Sequence, residues 1–423
     1  MDNSTLVKPF KSINPWHMLG WLLVAQVMVA FIGRSLAPLG VLIGEDLSLT
    51  KAQIGMLPAA LFLGQSIASI PAGFIVDRIG SKRLLLYLSF GLGGAFMLMA
   101  ISSNYFFVLL MVAIGGVGYG TMHPTSNKGI LHWFQQKRGT AMGIKQMGVT
   151  LGSALSALLL LPLAAIWGWR MALLAACGLL MATGVLAYRF YRDPPSAEPH
   201  EPERKISGSY LKESIGAMFR HKPLVLLSIA AMGLSGSQLI LNTYIVLFAY
   251  EQLGLSLLLA GMLLVISEVS GSFGRVAWGI ISDTIFKGQR LIVLVYIAAL
   301  SIGIALIVTR LPAGSSFWAI ASVVAVFGFC ISGFNGIWMN AATELVPFKQ
   351  AGIASGFTLM VGSWGVIIGP PLFGYIVDLS GNFNYGWFFL AFVLLLVIVL
   401  LLWAKRLAHK ENEHHKGGQK DEY

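Results

Sequence analysis

The chain has 423 residues, of which 56% are hydrophobic and only 11% charged, and its mean hydropathy is +0.76. Soluble domains carry roughly 25% charged residues, so this chain lacks the polar groups to cover a globular surface of its size, and most of it must face lipid. The net charge of +11 would suit nucleic acid, but the basic residues are sorted by side of a membrane instead of gathered into a patch, which excludes that partner.

A bilayer-crossing helix takes about 20 mostly apolar residues. Twelve runs meet that length, at 16–38, 52–76, 84–102, 106–130, 139–165, 171–190, 223–250, 257–281, 291–309, 316–341, 353–377 and 386–404. They are continuous and lack period-two alternation, so they are helices and not barrel strands. The first run is too long for a signal-peptide core and ends without a small-residue cleavage site, so it reads as a retained span. Residues 191–222, "YRDPPSAEPHEPERKISGSYLKESIGAMFRHK", are rich in proline and charge and read as a linker with a short surface helix at 209–220. The chain therefore divides into a six-helix bundle at 1–190, a cytoplasmic linker at 191–222, a second six-helix bundle at 223–404, and a polar cytoplasmic tail at 405–423 expected to be disordered. His414 and His415 read as solvated tail residues, with no metal site. All but six of the 29 Lys and Arg residues lie at the termini, in the linker and on the even-numbered connections. Lys51, Arg170 and Arg310 lie on the other side, and Arg34, Lys145 and Arg275 inside spans. This is the positive-inside pattern, with both termini cytoplasmic. Cys177 and Cys330 fall inside spans, so no disulfide framework is expected.

The two bundles echo one another. "GFIVDRIGSKR" at 73–83 and "GIISDTIFKGQR" at 279–290 share Gly-x-x-x-Asp followed by basic residues at the cytoplasmic end of the second helix of each half. "RGTAMG" at 138–143 matches "AGIASG" at 351–356, opening the fifth helix of each half. Two parallel six-helix halves describe a transporter built from repeats. Over essentially its whole length the chain resembles a major facilitator superfamily transporter. The resemblance rests on Gly73, Asp77, Arg78, Gly80, Lys82 and Arg83 in the first loop motif, and on "GRVAWGIISD" at 274–283. "PTSNKGILHWFQQKRGTAMGIKQMGVTLG" and "GRSLAPLG" resemble the anion:cation symporter branch and related bacterial metabolite permeases. Two positions depart from that branch: Gly33 stands where an acid usually precedes the arginine, and Gln135, Gln136 and Lys137 replace an acid before Arg138-Gly139. The resemblance implies an all-α membrane protein of twelve transmembrane helices in two pseudo-symmetric six-helix bundles, without enzymatic activity. Gly73 would let helices pack closely. Asp77 with Arg78 and Arg83 in the first half, and Arg275 with Asp283 or Glu344 in the second, would form ion pairs at the cytoplasmic rim, a gate network that opens and closes between states.

A charge at mid-membrane costs about 2.5–3.5 kcal/mol on translocon scales, so such residues normally face a cavity. Arg34 lies roughly 27 Å along the first span. It either snorkels to the outer headgroups or lines the cavity, where a guanidinium would grip a carboxylate bidentately. Lys145 lies about 10 Å into the fifth span. It either snorkels to the cytoplasmic rim or points inward, because it shares a face with Gly148, Val149, Gly152 and Ser156 and small residues mark tight helix contact. Glu268 in the eighth span is the lone acid near mid-membrane and shares a face with Arg275. Burial favours the neutral acid and a nearby cation the charged one, which suits a proton carrier; a permanent pair with Arg275 or Arg34 is the other reading. Tyr119, His123 and Asn127 form an i, i+4, i+8 stripe around Pro124 on the fourth span and are candidate substrate contacts. Gln65, Gln238, Asn242, Asn335 and Trp364 are further candidates for the cavity, although interhelical hydrogen bonds alone would account for each amide.

Two interior cations against one neutralisable acid are best satisfied by an anion. The leading expectation is a proton-coupled symporter of a small organic anion, a carboxylate metabolite, held by Arg34 and Lys145, with Glu268 taking the proton and the halves rocking about a central site by alternating access. It needs no cofactor beyond the proton gradient, and is expected as a monomer in a bacterial inner membrane. A proton-driven exporter of drugs or lipophilic cations would prefer buried acids, and the Gly-Pro motif such exporters carry in the fifth helix is here "GVTLGSAL", without proline. Monocarboxylate transporters also pair a cation in the first helix with an acid and arginine in the eighth, but their first-helix signature is absent.

Overall fold

The computed structural model describes residues 14–134, 137–193, 216–347 and 350–418. Gln135, Gln136, linker residues 194–215 and the side chains of His414 and His415 lie outside the described residues. The helices run in the order α1 (Pro15–Gly33), α2 (Gly40–Asp46), α3 (Lys51–Ile101), α4 (Tyr105–Trp133), α5 (Arg138–Leu155), a π-turn (Ser156–Leu160), α6 (Leu161–Phe190), α7 (Lys222–Glu251), α8 (Leu257–Thr284), α9 (Arg290–Val308), α10 (Phe317–Ile331), α11 (Asn335–Glu344), α12 (Ala351–Ser380) and α13 (Phe383–Gly418). No strand occurs among the described residues.

Ten helical stretches among the described residues are long and apolar enough to cross a membrane. Large apolar side chains stand out from them, with Phe106, Ile166 and Trp318 76%, 73% and 74% exposed. Such a surface is stable against lipid and not against water. Helix α3 has 51 residues, about 76 Å if straight, far more than the roughly 30 Å of a hydrocarbon core. It reverses at Gly80, whose φ of 81° admits glycine readily. Before the bend Leu61 and Gln65 meet Gly116 and Gly120 of α4, in parallel; after it Leu92 and Phe96 meet Gly118 and Gly115, antiparallel. A second reversal at Gly168, φ 78°, turns α6 back across the bundle. With these two reversals each of the twelve expected runs is helical over most of its length, and the run 316–341 is broken at 332–334.

Thr50 and Gln53 form a capping box that starts α3, and Gly381 in the left-handed conformation ends α12. The core divides in two. One cluster draws on residues 18–191; the other draws mainly on 218–401, with Val41, Ile54 and Ala157 reaching into it. Within each half glycines let backbones touch: Gly64 on Gly116 in the first, Gly236 on Gly365 and Gly274 on Phe329 in the second.

Three expectations are corrected. Gly73 has open space beside it, so close packing is not its role. The tail is helical as far as Gly418, because Ala, Leu, Lys, Arg and Glu in the run that follows Trp403 favour helix. The first helix stops at Gly33, five residues short of the expected end, and 34–39 are turns. The described part of the linker is helical at 216–220.

The halves meet at the end that carries Lys51. Asp378 of α12 accepts the Lys51 and Ala52 backbone N–H groups, both at 2.8 Å, a carboxylate on the start of α3 supplied by the other half. Lys51 also pairs with Glu251 of α7. The Tyr244 hydroxyl lies 2.8 Å from the Lys51 carbonyl and 2.7 Å from that of Pro370.

Candidate functional site

Arg34 sits where α1 breaks. Its backbone closes the last turn on Ala30, and its side chain is thrown toward α3 and α4, with Nε 3.4 Å from the Tyr119 hydroxyl and the guanidinium carbon 5.2 Å from the Phe62 ring centroid. No carboxylate pairs with it among the described residues, so the outer nitrogens of the fork are left for a ligand. A Cβ on Gly33 would collide with the Tyr119 ring, which explains why the acid expected there by family resemblance is missing: the tyrosine occupies its space.

Lys145 is sealed inside the protein, 2% exposed, so snorkelling to the rim is excluded. Its Nζ is 3.1 Å from His123 Nδ1 and 3.3 Å from Asn127 Oδ1. An ammonium has no lone pair, so Nδ1 accepts. Gly148 and Gly152 press α5 against Gln26, Val27 and Ala30 of α1, and Lys145 on the adjoining part of that face is aimed at α4. The stripe on α4 thus serves both cations: Tyr119 holds Arg34, while His123 and Asn127 hold Lys145.

The second half answers with an acid and amides. Glu268 is 4% exposed, and its Oε1 accepts from Ser153 Oγ of α5 and Asn242 Nδ2 of α7, each at 2.9 Å. The first bond crosses between the halves. It leaves α5 just before the π-turn at Ser156–Leu160, a distortion that often marks functional sites. Glu268 makes no direct ion-pair contact with Arg275 or Arg34, although its charge acts on both across a longer distance. Arg275 instead donates from Nε to the Ser332 carbonyl at 3.2 Å, in the break between α10 and α11. Asn335 Nδ2 reaches the same carbonyl and Gln238 Oε1, both at 3.2 Å. Irregular backbone at membrane depth is stable where it lines a cavity.

Such a cavity is present: Arg34, Phe62, Gln65, Gln238, Asn335 and Trp338 line a space of about 810 Å³ including its open mouth. Lys145, His123 and Asn127 are not among its lining residues. Trp364 is not part of it. Gly362 and Gly365 face α11 and α7, so Trp364 stands on the outer face, 52% exposed.

The rim pairs also differ from expectation. Asp77 pairs with Lys128 of α4 at 2.8 Å, not with Arg78 or Arg83, which are exposed. Asp283 and Glu344 pair with Arg290, not with Arg275. All of these pairs lie within one half. Lys128 wins because a residue one helix away can reach the carboxylate, whereas neighbours along the same turn point outward. The groups that sequence missed are Phe62, Ser153 and Trp338. Phe62 lies three residues before Gln65, on one helical face, and that spacing was the available signal.

The family model described as Major Facilitator Superfamily matches residues 22–368 and 297–422. The chain is 26% identical to the hexuronate transporter of Bacillus subtilis (strain 168) over 366 residues, covering 82% of this chain and 84% of that one. It is 25% identical to a probable sulfoacetate transporter of Cupriavidus necator over 391 residues, covering 88% and 90%. A bacterial homologue of the human lysosomal transporter Spinster, solved in an inward-facing and unoccupied conformation, superposes with a TM-score of 0.73 at 16% identity, covering 94% of this chain and 97% of that one.

Proposed function

We propose that this chain, which belongs to the Major Facilitator Superfamily and is a membrane transporter, carries a small organic anion in symport with a proton by alternating access. One observation carries the reading: two cations of the first half, Arg34 and Lys145, are tied together by the Tyr119–His123–Asn127 stripe and have no carboxylate partner among the described residues. An unbalanced positive wall on a cavity is satisfied by an anion. The relatives that carry hexuronate and sulfoacetate handle molecules with a carboxylate, which supports that class.

In this reading the carboxylate docks on the free fork of Arg34, Lys145 deepens the positive potential behind it, and Gln65, Gln238 and Asn335 bond the rest of the molecule. Glu268 takes the proton, and in doing so weakens its acceptor bonds to Ser153 and Asn242, which loosens a contact between the halves. With the termini in the cytoplasm by the positive-inside pattern, the closed Lys51 end faces outward and the conformation is inward-facing. The rim pairs at Asp77, Asp283 and Glu344 would then be rearranged on closure. We place the chain in a bacterial inner membrane as a monomer, energised by the proton gradient without a cofactor.

A thermal-shift screen of the purified protein against carboxylates, sugars, phosphates and cations, at an acidic and a neutral pH, tests the reading. Stabilisation by carboxylates is expected, and stabilisation by cations alone would sink it.

A further inference from the structure

Beside Arg34, on the side toward the closed end, lies a second, smaller recess lined by Arg34, Pro58, Phe62, Ser153, Asn242 and Thr243, among others. The recess is small, with room for a water-sized group. Two of its lining residues each keep a buried oxygen without a hydrogen-bond partner, Asn242 Oδ1 and Thr243 Oγ1, and both residues are only 3% exposed. A buried oxygen left without a hydrogen bond is unfavourable, so each calls for a partner. Asn242 is also fixed in orientation: its Nδ2 donates to Glu268 at 2.9 Å, so what it offers elsewhere is an acceptor.

We propose that this recess is a specificity subsite that takes the hydroxyl on the carbon next to the substrate carboxylate, so that the transported anion is a 2-hydroxycarboxylate. The proposal rests on the anion reading above, with the carboxylate on Arg34. A hydroxyl one carbon from that carboxylate enters the space directly beside the guanidinium. It donates its proton to Asn242 Oδ1 and accepts from the Thr243 hydroxyl, satisfying both orphaned atoms. A 2-oxo group brings no donor and leaves Asn242 Oδ1 unpaired. A 2-ammonium group places a cation beside Arg34. A bare methylene leaves the recess to water. A hydroxyl is therefore the group that matches both the size and the polarity of the site.

The test is a thermal-shift titration of the purified protein with two matched series: lactate, propionate and pyruvate, and gluconate, 2-deoxygluconate and 2-oxogluconate. Apparent affinity should be about 10-fold higher for the hydroxy acid of a series than for its deoxy and oxo analogues, because a site built to bond a hydroxyl discriminates against analogues that lack it. Thr243→Val, close in shape, should reduce that ratio several-fold while Thr243→Ser restores it, a pattern that loss of folding would not produce. Equal stabilisation within each series, or a ratio untouched by Thr243→Val, overturns the subsite and leaves the anion reading standing. No stabilisation by any carboxylate overturns both.

Discussion

The two walls of the central cavity are built from different chemistry. The first half contributes cations, Arg34 lining the cavity and Lys145 buried against α4, and the stripe on α4 that holds them. The second half contributes the carboxylate of Glu268, which bonds out to Ser153, and the neutral amides Gln238, Asn242 and Asn335. The halves share an architecture by repetition, yet the charged groups are divided unevenly between them, so in the proposed reading an anion would bind with its charge toward one half and its uncharged part toward the other. A polarised site also links the halves, because a ligand held by both walls draws them together.

That comparison breaks most visibly by removing the cations. Arg34→Gln should lower uptake efficiency for a carboxylate about 100-fold, since a charge-assisted bidentate contact and its field are lost together. Lys145→Met should act on a similar scale through potential alone, with folded protein still recovered from the membrane. Uptake kinetics like those of the native chain would remove either residue from the site. On the other wall, Glu268→Gln keeps the shape and a carbonyl acceptor but cannot cycle a proton. Exchange of labelled carboxylate across a membrane is expected to persist, while accumulation driven by a proton gradient is lost; retained accumulation would move proton coupling elsewhere. Gln238→Ala removes one neutral hydrogen bond, worth about 0.5–1.5 kcal/mol, and should raise the apparent KM only several-fold. Trp364→Leu should leave uptake unchanged, because the ring lies on the outer face of α12; a loss as large as that of Gln238→Ala would return Trp364 to the cavity.

Much of this was legible in the residues. The apolar runs, the polar seam and the side bias of Lys and Arg depend on local composition and on the thickness of a bilayer, both of which are properties of the chain alone. The twofold echo of the motifs at 73–83 and 279–290 and the face shared by Lys145, Gly148 and Gly152 are likewise periodic features. What periodicity predicted about Lys145 was a direction, and the packing of α5 on α1 then supplied the distance, 3.1 Å from His123. Partner choice was a different matter. The repeated motif at 274–283 points Arg275 to Asp283 or Glu344, but Arg290 holds both acids and Arg275 turns to a carbonyl freed by the break in the helix that α10 and α11 together make.

The sequence by itself determined the solvent of this protein, its helices, its twofold organisation and the short roster of charges within the spans, because each of these follows from local hydrophobicity and spacing. Only the tertiary structure decided which charges meet: that Tyr119 takes the room of an acid at Gly33, that Asp378 caps α3 across the halves, and that Glu268 bonds Ser153 instead of a cation. Ion pairs and hydrogen bonds reach only about 3 Å, and which side chains come that close depends on how helices far apart in the chain are rotated and pressed together by their glycines.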